Sequence, residues 1–196
     1  MIGFMAADRL RIGFLLDEQW HFLRGEMETS KRPALLALAR VLNETSTPYA
    51  IIGGIALQVH REDPRTTVDI DLAVAALDGI PRDELEAAGF NFTGRFVHSE
   101  NWRGPGDVPI QFTEDPALRP ALDRAVNVDL EGTHIRVIGA ADLLHEKLRA
   151  GSDPARRRSK RLQDLADAEG LVEEMPQLEA ELSDSERAIL AGVPPR

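Results

Sequence analysis

One stretch restricts the fold more than any other: IIGGIALQVHREDPRTTVDIDL, from Ile51 to Leu72. Tyr49 to Ile52 is a short apolar run that reads as a strand, stopped by Gly53 and Gly54. Ile55 to His60 then reads as a short helix, and Arg61 to Arg65 as a polar loop. Thr66 to Val74 reads as a second strand, because Val68, Ile70 and Leu72 alternate with Thr67, Asp69 and Asp71. Around this unit the pattern runs helix, strand, helix, strand, then more strands, then helices. That order predicts an α+β (mixed α/β) chain with a small sheet, flanking helices and a helical C-terminal part.

The same stretch carries chemistry. Side chains two apart on a strand share a face, so Asp69 and Asp71 are expected to project together while Val68, Ile70 and Leu72 turn the other way. Two carboxylates held that close repel, and burial sharpens the repulsion. A hard cation relieves it, and magnesium typically takes one or two carboxylates together with phosphate oxygens and water. Gly53 and Gly54, lacking Cβ atoms, let backbone approach a phosphate closely, and the amides that open the next helix favour an anion. Taken alone, each feature has a plainer account: a solvated strand face for Asp-x-Asp, and a tight strand-to-helix turn for the glycines. Their proximity in the chain is what favours a joint metal and phosphate site.

The remaining elements are read from pattern. A helix starts near Pro33, with Leu35, Leu38, Ala39 and Leu42 on one face. Pro81 to Ala88 is helical, Phe90 to His98 and Val108 to Thr113 are strands, and Ala125 to Leu130 with His134 to Ile138 form a hairpin. Ala141 to Ala150 and Ser159 to Leu171 are helices. We divide the chain into an N-terminal extension (residues 1–30), a core (31–140) and a C-terminal helical part (141–196). The extension reads as an extra helix, a partner-binding arm, or an upstream segment if Met27 is the true start.

Composition closes off several classes. There are no cysteines among the 196 residues, so disulfides, zinc–thiolate sites and cysteine nucleophiles are excluded, and a reducing cytoplasm is expected. No apolar run is long enough to span a membrane, and Asp8, Arg9 and Arg11 interrupt the apolar start, which does not read as a secretory signal. A net charge of −10 argues against a general nucleic-acid coating protein. The run Arg156, Arg157, Arg158, Lys160, Arg161 is a local exception, either a solvated loop or a patch for an RNA backbone.

The motifs resemble those of the DNA polymerase β-like nucleotidyltransferase superfamily, whose signature is a Gly-Gly or Gly-Ser turn followed by an Asp-x-Asp strand. They are most similar to the AbiEii/AbiGii (MenT-like) toxin nucleotidyltransferases. The shared features are the Gly53-Gly54 turn, Thr67-Val68-Asp69-Ile70-Asp71, the apolar helix with Leu143, Lys147, Leu148 and Ala150, and a basic stretch leading into Lys160, Asp164 and Asp167. The match spans roughly residues 33 to 172. It implies a polymerase β-like core in which Asp69 and Asp71 hold Mg2+, with NTP as substrate. Gly53, Gly54, Arg65, Thr67 and Lys147 are then nucleotide-binding, and Asp69, Asp71, Lys147 and Asp164 catalytic. Asp164 serves there as a general base or as a group orienting the acceptor hydroxyl. Lys147 also stands out by position: it lies on or beside the apolar face of its helix, where it either aims at phosphate or runs its stem along the core edge.

One departure matters. Many enzymes of that superfamily carry a third carboxylate on a later strand, where this chain has Gln111. Asp107, Asp129 and Asp164 are the substitutes the sequence offers. The resemblance implies transfer of an NMP to an acceptor hydroxyl, with RNA such as the tRNA 3′ end as acceptor and an antitoxin as partner. The alternatives are a small-molecule acceptor, as in antibiotic-modifying enzymes, and a non-catalytic nucleotide-binding module. His60, His98, His134 and His145 share no ligand spacing and read as ordinary core-edge or surface residues. Trp102 reads as packed against the domain rather than as a base-stacking platform.

Overall fold

The computed structural model describes residues 2–23, 31–63 and 66–192. Fifteen labelled elements carry the fold. They are α1 (Ile2–Leu23), α2 (Lys31–Glu44), β1 (Tyr49–Ile52), α3 (Gly53–His60), β2 (Ile70–Val74), α4 (Arg82–Ala87), β3 (Asn91–Arg95), β4 (Ser99–Gly104) and β5 (Val108–Thr113). Next come α5 (Arg119–Asp123), β6 (Val126–Leu130), β7 (Thr133–Val137), α6 (Ala140–Ser152), α7 (Arg158–Glu174) and α8 (Asp184–Ala191). The strands form a mixed sheet in the order β3-β4-β5-β2-β1-β7-β6. This is the mixed α/β architecture that the order of the patterns predicts.

The central strands are apolar because both faces are covered. All four residues of β1 are buried, as are Ile70, Leu72, Ala73 and Val74 of β2. Helix α2 packs its apolar face, with Leu35, Leu38 and Leu42 buried, against β7. Helix α1 lies across α3 and β6, with Leu10 and Phe14 in the core.

Topology explains why residues far apart in the chain meet. β1 and β2 run antiparallel, with Ile52 opposite Asp71, so the glycine turn that ends β1 abuts the start of β2. β5 runs parallel to β2 with Gln111 beside Asp71. β7 runs parallel to β1 through Ile51 and Val137, so α6 departs from the same end of the sheet as α3. α7 packs closely on α6, where a Cβ at Gly151 would lie 2.7 Å from the Leu165 side chain. Its far end is tied to the core by Arg61, whose Nε donates to Glu174 Oε1 at 3.0 Å and whose guanidinium occupies the space beside Gly170.

Several expectations are corrected. The second strand begins at Ile70, not Thr66, and Val68 is 56% exposed rather than turned to the core. Thr67 is drawn out of extended pairing by contacts with α1 and α2 described below. The segment after Phe90 is two strands, β3 and β4, joined at residues 96–98; one of the inward positions of β4 is the buried Glu100, and that charge breaks the apolar alternation that marks a strand. The short helix α5 has no periodicity to announce it. Within the N-terminal stretch, residues 2–23 form a helix whose inner face joins the core.

Candidate active site

Asp69 lies in the bend just ahead of β2, and Asp71 is its second residue. Both line two of the same cavities, so the carboxylates converge although Asp69 is outside the strand. The Thr67 hydroxyl donates to Asp69 Oδ1 at 2.9 Å, leaving the other Asp69 oxygen for a ligand. Burial and the Asp69 charge, opposed by Lys147, push the Asp71 carboxyl up to about 7. This is the electrostatic tension that a bound cation removes.

The glycine turn is shaped around Asp71. Gly53 has φ +65°, and a Cβ there would fall 2.4 Å from Asp71 Oδ2. A Cβ on Gly54 would fall 2.5 Å from the Thr67 hydroxyl oxygen. The turn therefore requires both glycines: one for backbone conformation and close approach, the other for close approach alone. No side chain caps the N-terminus of α3, so its first amides remain available to an anion.

Lys147, on α6, is buried and faces a pair of acids on α7. Its Nζ lies 2.9 Å from Asp164 Oδ1 and 3.2 Å from Asp167 Oδ2. Arg156 Nε reaches the second oxygen of Asp164 at 2.8 Å. Burial pulls the lysine downward, but the carboxylates of Glu146, Asp167 and Asp164 outweigh it and hold the ammonium above its ordinary range. The Asp-x-x-Asp pattern of α7 is thus an ion network that holds Lys147 charged. The chain offers four cations, Lys147, Arg156, Arg157 and Lys160, to one cavity of about 540 Å³ that also contains Gly53, Gly54, Asp69 and Asp71. Part of the basic run accordingly lines the site. Arg65 lies outside the described residues.

The third-carboxylate position is occupied as the sequence indicates. Gln111 stands beside Asp71 on β5 and donates from Nε2 to Asn101 Oδ1 at 3.3 Å. Asp107 and Asp129 do not join the pair, while Asp164 lines the same cavity but is engaged in ion pairs. Asp107 sits before β5 near Arg103, Asp129 is at the far sheet edge and accepts from the Gly132 amide, and Asp164 is held by Lys147 and Arg156. Among the described residues, no three His, Cys, Asp or Glu side chains gather to hold a metal. Two carboxylates with a phosphate cradle still fit magnesium, which completes its shell with water and triphosphate oxygens. The histidines stay apart: His60 Nε2 is 2.6 Å from the Ile138 carbonyl, and His145 Nδ1 is 2.6 Å from Glu186. Trp102 is 1% exposed and packs edge-on against Phe92 and Phe112.

Sequence reasoning passed over Glu146. A larger cavity of about 1100 Å³ opens from Asp71, Gln111 and Lys147 toward α5, α6 and α8, and Glu146 lines it. Its Oε2 is shut off from solvent and has no hydrogen-bond partner. Burial raises its pKa and Asp164 adds to the rise, against the pull of Lys147, Arg149 and Arg156. Other acids lining that cavity are engaged: Asp115 by Arg149 at 2.6 Å, Asp142 by Arg124 at 2.5 Å, and Glu186 by His145. The signal in the sequence was only a second charge beside Lys147 on an otherwise amphipathic helix.

The model of the family described as nucleotidyl transferase AbiEii toxin, type IV TA system, matches residues 36–193. The chain belongs to this family. As a member of the AbiEii family it is a nucleotidyltransferase, and the resemblance read from its motifs holds. No curated protein sequence matches it. Solved structures share the fold. An antigenic nucleotidyltransferase-like protein from Paracoccidioides brasiliensis is 22% identical, with TM-score 0.59 over 83% of this chain and 86% of that one. ANT(2")-Ia, solved in complex with adenylyl-2"-tobramycin, is 16% identical, with TM-score 0.53 over 83% and 98%. JHP933 from Helicobacter pylori is 15% identical, with TM-score 0.52 over 81% and 70%. At these identities the likeness is one of fold, and no helix among the described residues is long and apolar enough to cross a membrane.

Proposed function

We propose that this AbiEii-family enzyme transfers an NMP from a magnesium-bound NTP to an acceptor hydroxyl, with RNA, such as the tRNA 3′ end, as acceptor. The observation that carries the reading is the single cavity where the glycine turn, the two carboxylates and four cations converge. The triphosphate lies against the Gly53-Gly54 turn and the open N-terminus of α3. Lys147 supplies a buried point charge, and Arg156, Arg157 and Lys160 supply further positive charge along the wall. Asp69 and Asp71 hold the magnesium, which when bound polarises the phosphates and organises in-line attack.

The acceptor enters from the larger cavity, on the Glu146 side. Its hydroxyl oxygen bonds to the α-phosphorus, the bond to the β-phosphate bridging oxygen breaks, and pyrophosphate leaves. The hydroxyl proton passes to the carboxylate of Glu146, which lines that space. Asp164 serves by orienting Lys147, since two cations already occupy its oxygens. Gln111 borders both cavities and aligns the acceptor by hydrogen bonding. As a member of a toxin family, the protein acts as the toxin of a pair with an antitoxin.

A small-molecule acceptor is the second reading, favoured by the size and enclosed acids of the larger cavity. The test is incubation with each α-labelled NTP, magnesium and total tRNA, beside Asp69→Ala. Label entering RNA with wild type alone establishes enzyme, base preference and acceptor. Magnesium-dependent NTP binding without labelled RNA moves the acceptor to the small-molecule class.

A further inference from the structure

Helix α1 lies wholly before the segment that the family model matches, and yet it reaches the carboxylate loop. Asp17, 4% exposed, sits beneath that loop. Its Oδ1 accepts the Thr67 amide N–H at 2.9 Å. Its Oδ2 accepts from Gln58 Nε2 at 3.2 Å and lies 2.7 Å from Lys31 Nζ. Lys31, 3% exposed, in turn donates to the Thr67 carbonyl. Both backbone polar groups of Thr67 are therefore held by one buried ion pair, and the Thr67 hydroxyl carries the constraint to Asp69 Oδ1 at 2.9 Å. Gln58 lies on α3, the helix opened by the glycine turn, so Asp17 ties both halves of the site together. The contact depends on Gly13: a Cβ there would lie 2.5 Å from the Gln58 side chain.

A buried carboxylate and ammonium are costly to desolvate, and a hydrophobic pair of similar volume is often no less stabilising. Nothing in packing alone calls for charges at these positions. What they provide is direction: hydrogen bonds that fix a loop which would otherwise continue β2 outward.

We propose that α1 is part of the active-site scaffold, with Asp17 and Lys31 as positioning residues that hold Thr67, and through it Asp69, in the geometry that binds metal. The inference rests on the reading of Asp69 and Asp71 as the metal pair. A chain without this helix has the same motif but a looser Asp69.

The test uses the full-length protein and isothermal titration of Mn2+ in the presence of ATP, with metal-free ATP binding and thermal melts alongside. The principal variant is the double substitution Asp17→Leu with Lys31→Met, which removes both groups that hold the Thr67 backbone without stranding one buried charge. We expect Mn2+ to bind about tenfold more weakly, as for the loss of one orienting hydrogen bond to a charged group. Metal-free ATP binding, carried also by Lys147 and its neighbours, falls clearly less than Mn2+ binding. Thr67→Val keeps the peptide and removes the hydroxyl. It is expected to give the same loss, and combining it with the double variant to add little, because both act through Asp69. A double variant that folds and binds Mn2+ like wild type overturns the brace. So does an equal fall in metal-free ATP binding, which marks a general loosening. If wild type binds ATP but no Mn2+, and Asp69→Ala changes nothing, the metal reading beneath the proposal fails instead.

Discussion

Two buried lysine–aspartate clusters grip the active site from opposite ends of the chain, and they are built to different ends. In the N-terminal cluster, Asp17 and Lys31 turn toward backbone and toward each other, and the Thr67 peptide uses both. In the C-terminal cluster, Lys147 meets Asp164 and Asp167 but also lines the cavities that hold Asp71. The same ion pair chemistry thus serves once as a clamp on a loop and once as a charged wall. The difference lies in what the lysine faces: a peptide carbonyl in one case, ligand space in the other.

The comparison breaks most clearly at the carboxylates and lysines. Asp69→Ala and Lys147→Ala are expected to lower transfer by about a thousandfold or more, as for loss of a preorganised charge at the transferred phosphate. Asp69→Ala keeps the fold, whereas Lys147→Ala also takes a cation from buried Asp164 and Asp167 and should lower the melting temperature as well; near wild-type rates in a labelled-NTP assay would end the assignment. Lys31→Met alone should cost stability instead, about 3–5 kcal/mol in urea unfolding, because Asp17 is then buried without its cation. A small loss would mean that the N-terminal clamp is less enclosed than its burial indicates.

Glu146→Gln tests the acceptor side and is expected to reduce kcat roughly a hundredfold with NTP affinity unchanged. Weakened NTP binding instead would move Glu146 to the nucleotide. The smallest effect concerns Asp71 in metal-free protein. Its folded carboxyl is raised to about 7, so between the ordinary carboxylate range and that value the folded state binds more protons than the unfolded one. Stability is therefore lost as pH rises across this window. Asp71→Asn should melt a few degrees above wild type at pH 8 without metal, roughly 2–4 °C per kcal/mol, and the gap should narrow at pH 5. A gap that is unchanged with pH would remove the electrostatic argument.

Much of this site was legible locally. Gly53, Gly54, Thr67, Asp69 and Asp71 fall within one short stretch, and strand alternation with a glycine turn exposes them in one dimension. Lys147 was conspicuous because a charge on an apolar helix face violates the expected pattern. Glu146, its neighbour, was not, since a glutamate on an amphipathic helix is ordinary until its surroundings are known. Asp17 and Lys31 gave less still: one of three acids in α1, with Asp8 and Glu18, and a lysine at a helix start.

The sequence by itself determined the strand–turn–helix–strand unit, the pairing of the two aspartates and the family. Backbone conformation and side-chain alternation depend on residues close in the chain, so those features are written locally. The tertiary structure decided where β2 begins, that α1 reaches the Thr67 backbone, that Asp164 pairs with Lys147, and that Glu146 Oε2 is buried without a hydrogen-bond partner. Each of these depends on what lies across a contact between distant segments. Burial and charge pairing, which give such contacts their energy, have no period in sequence.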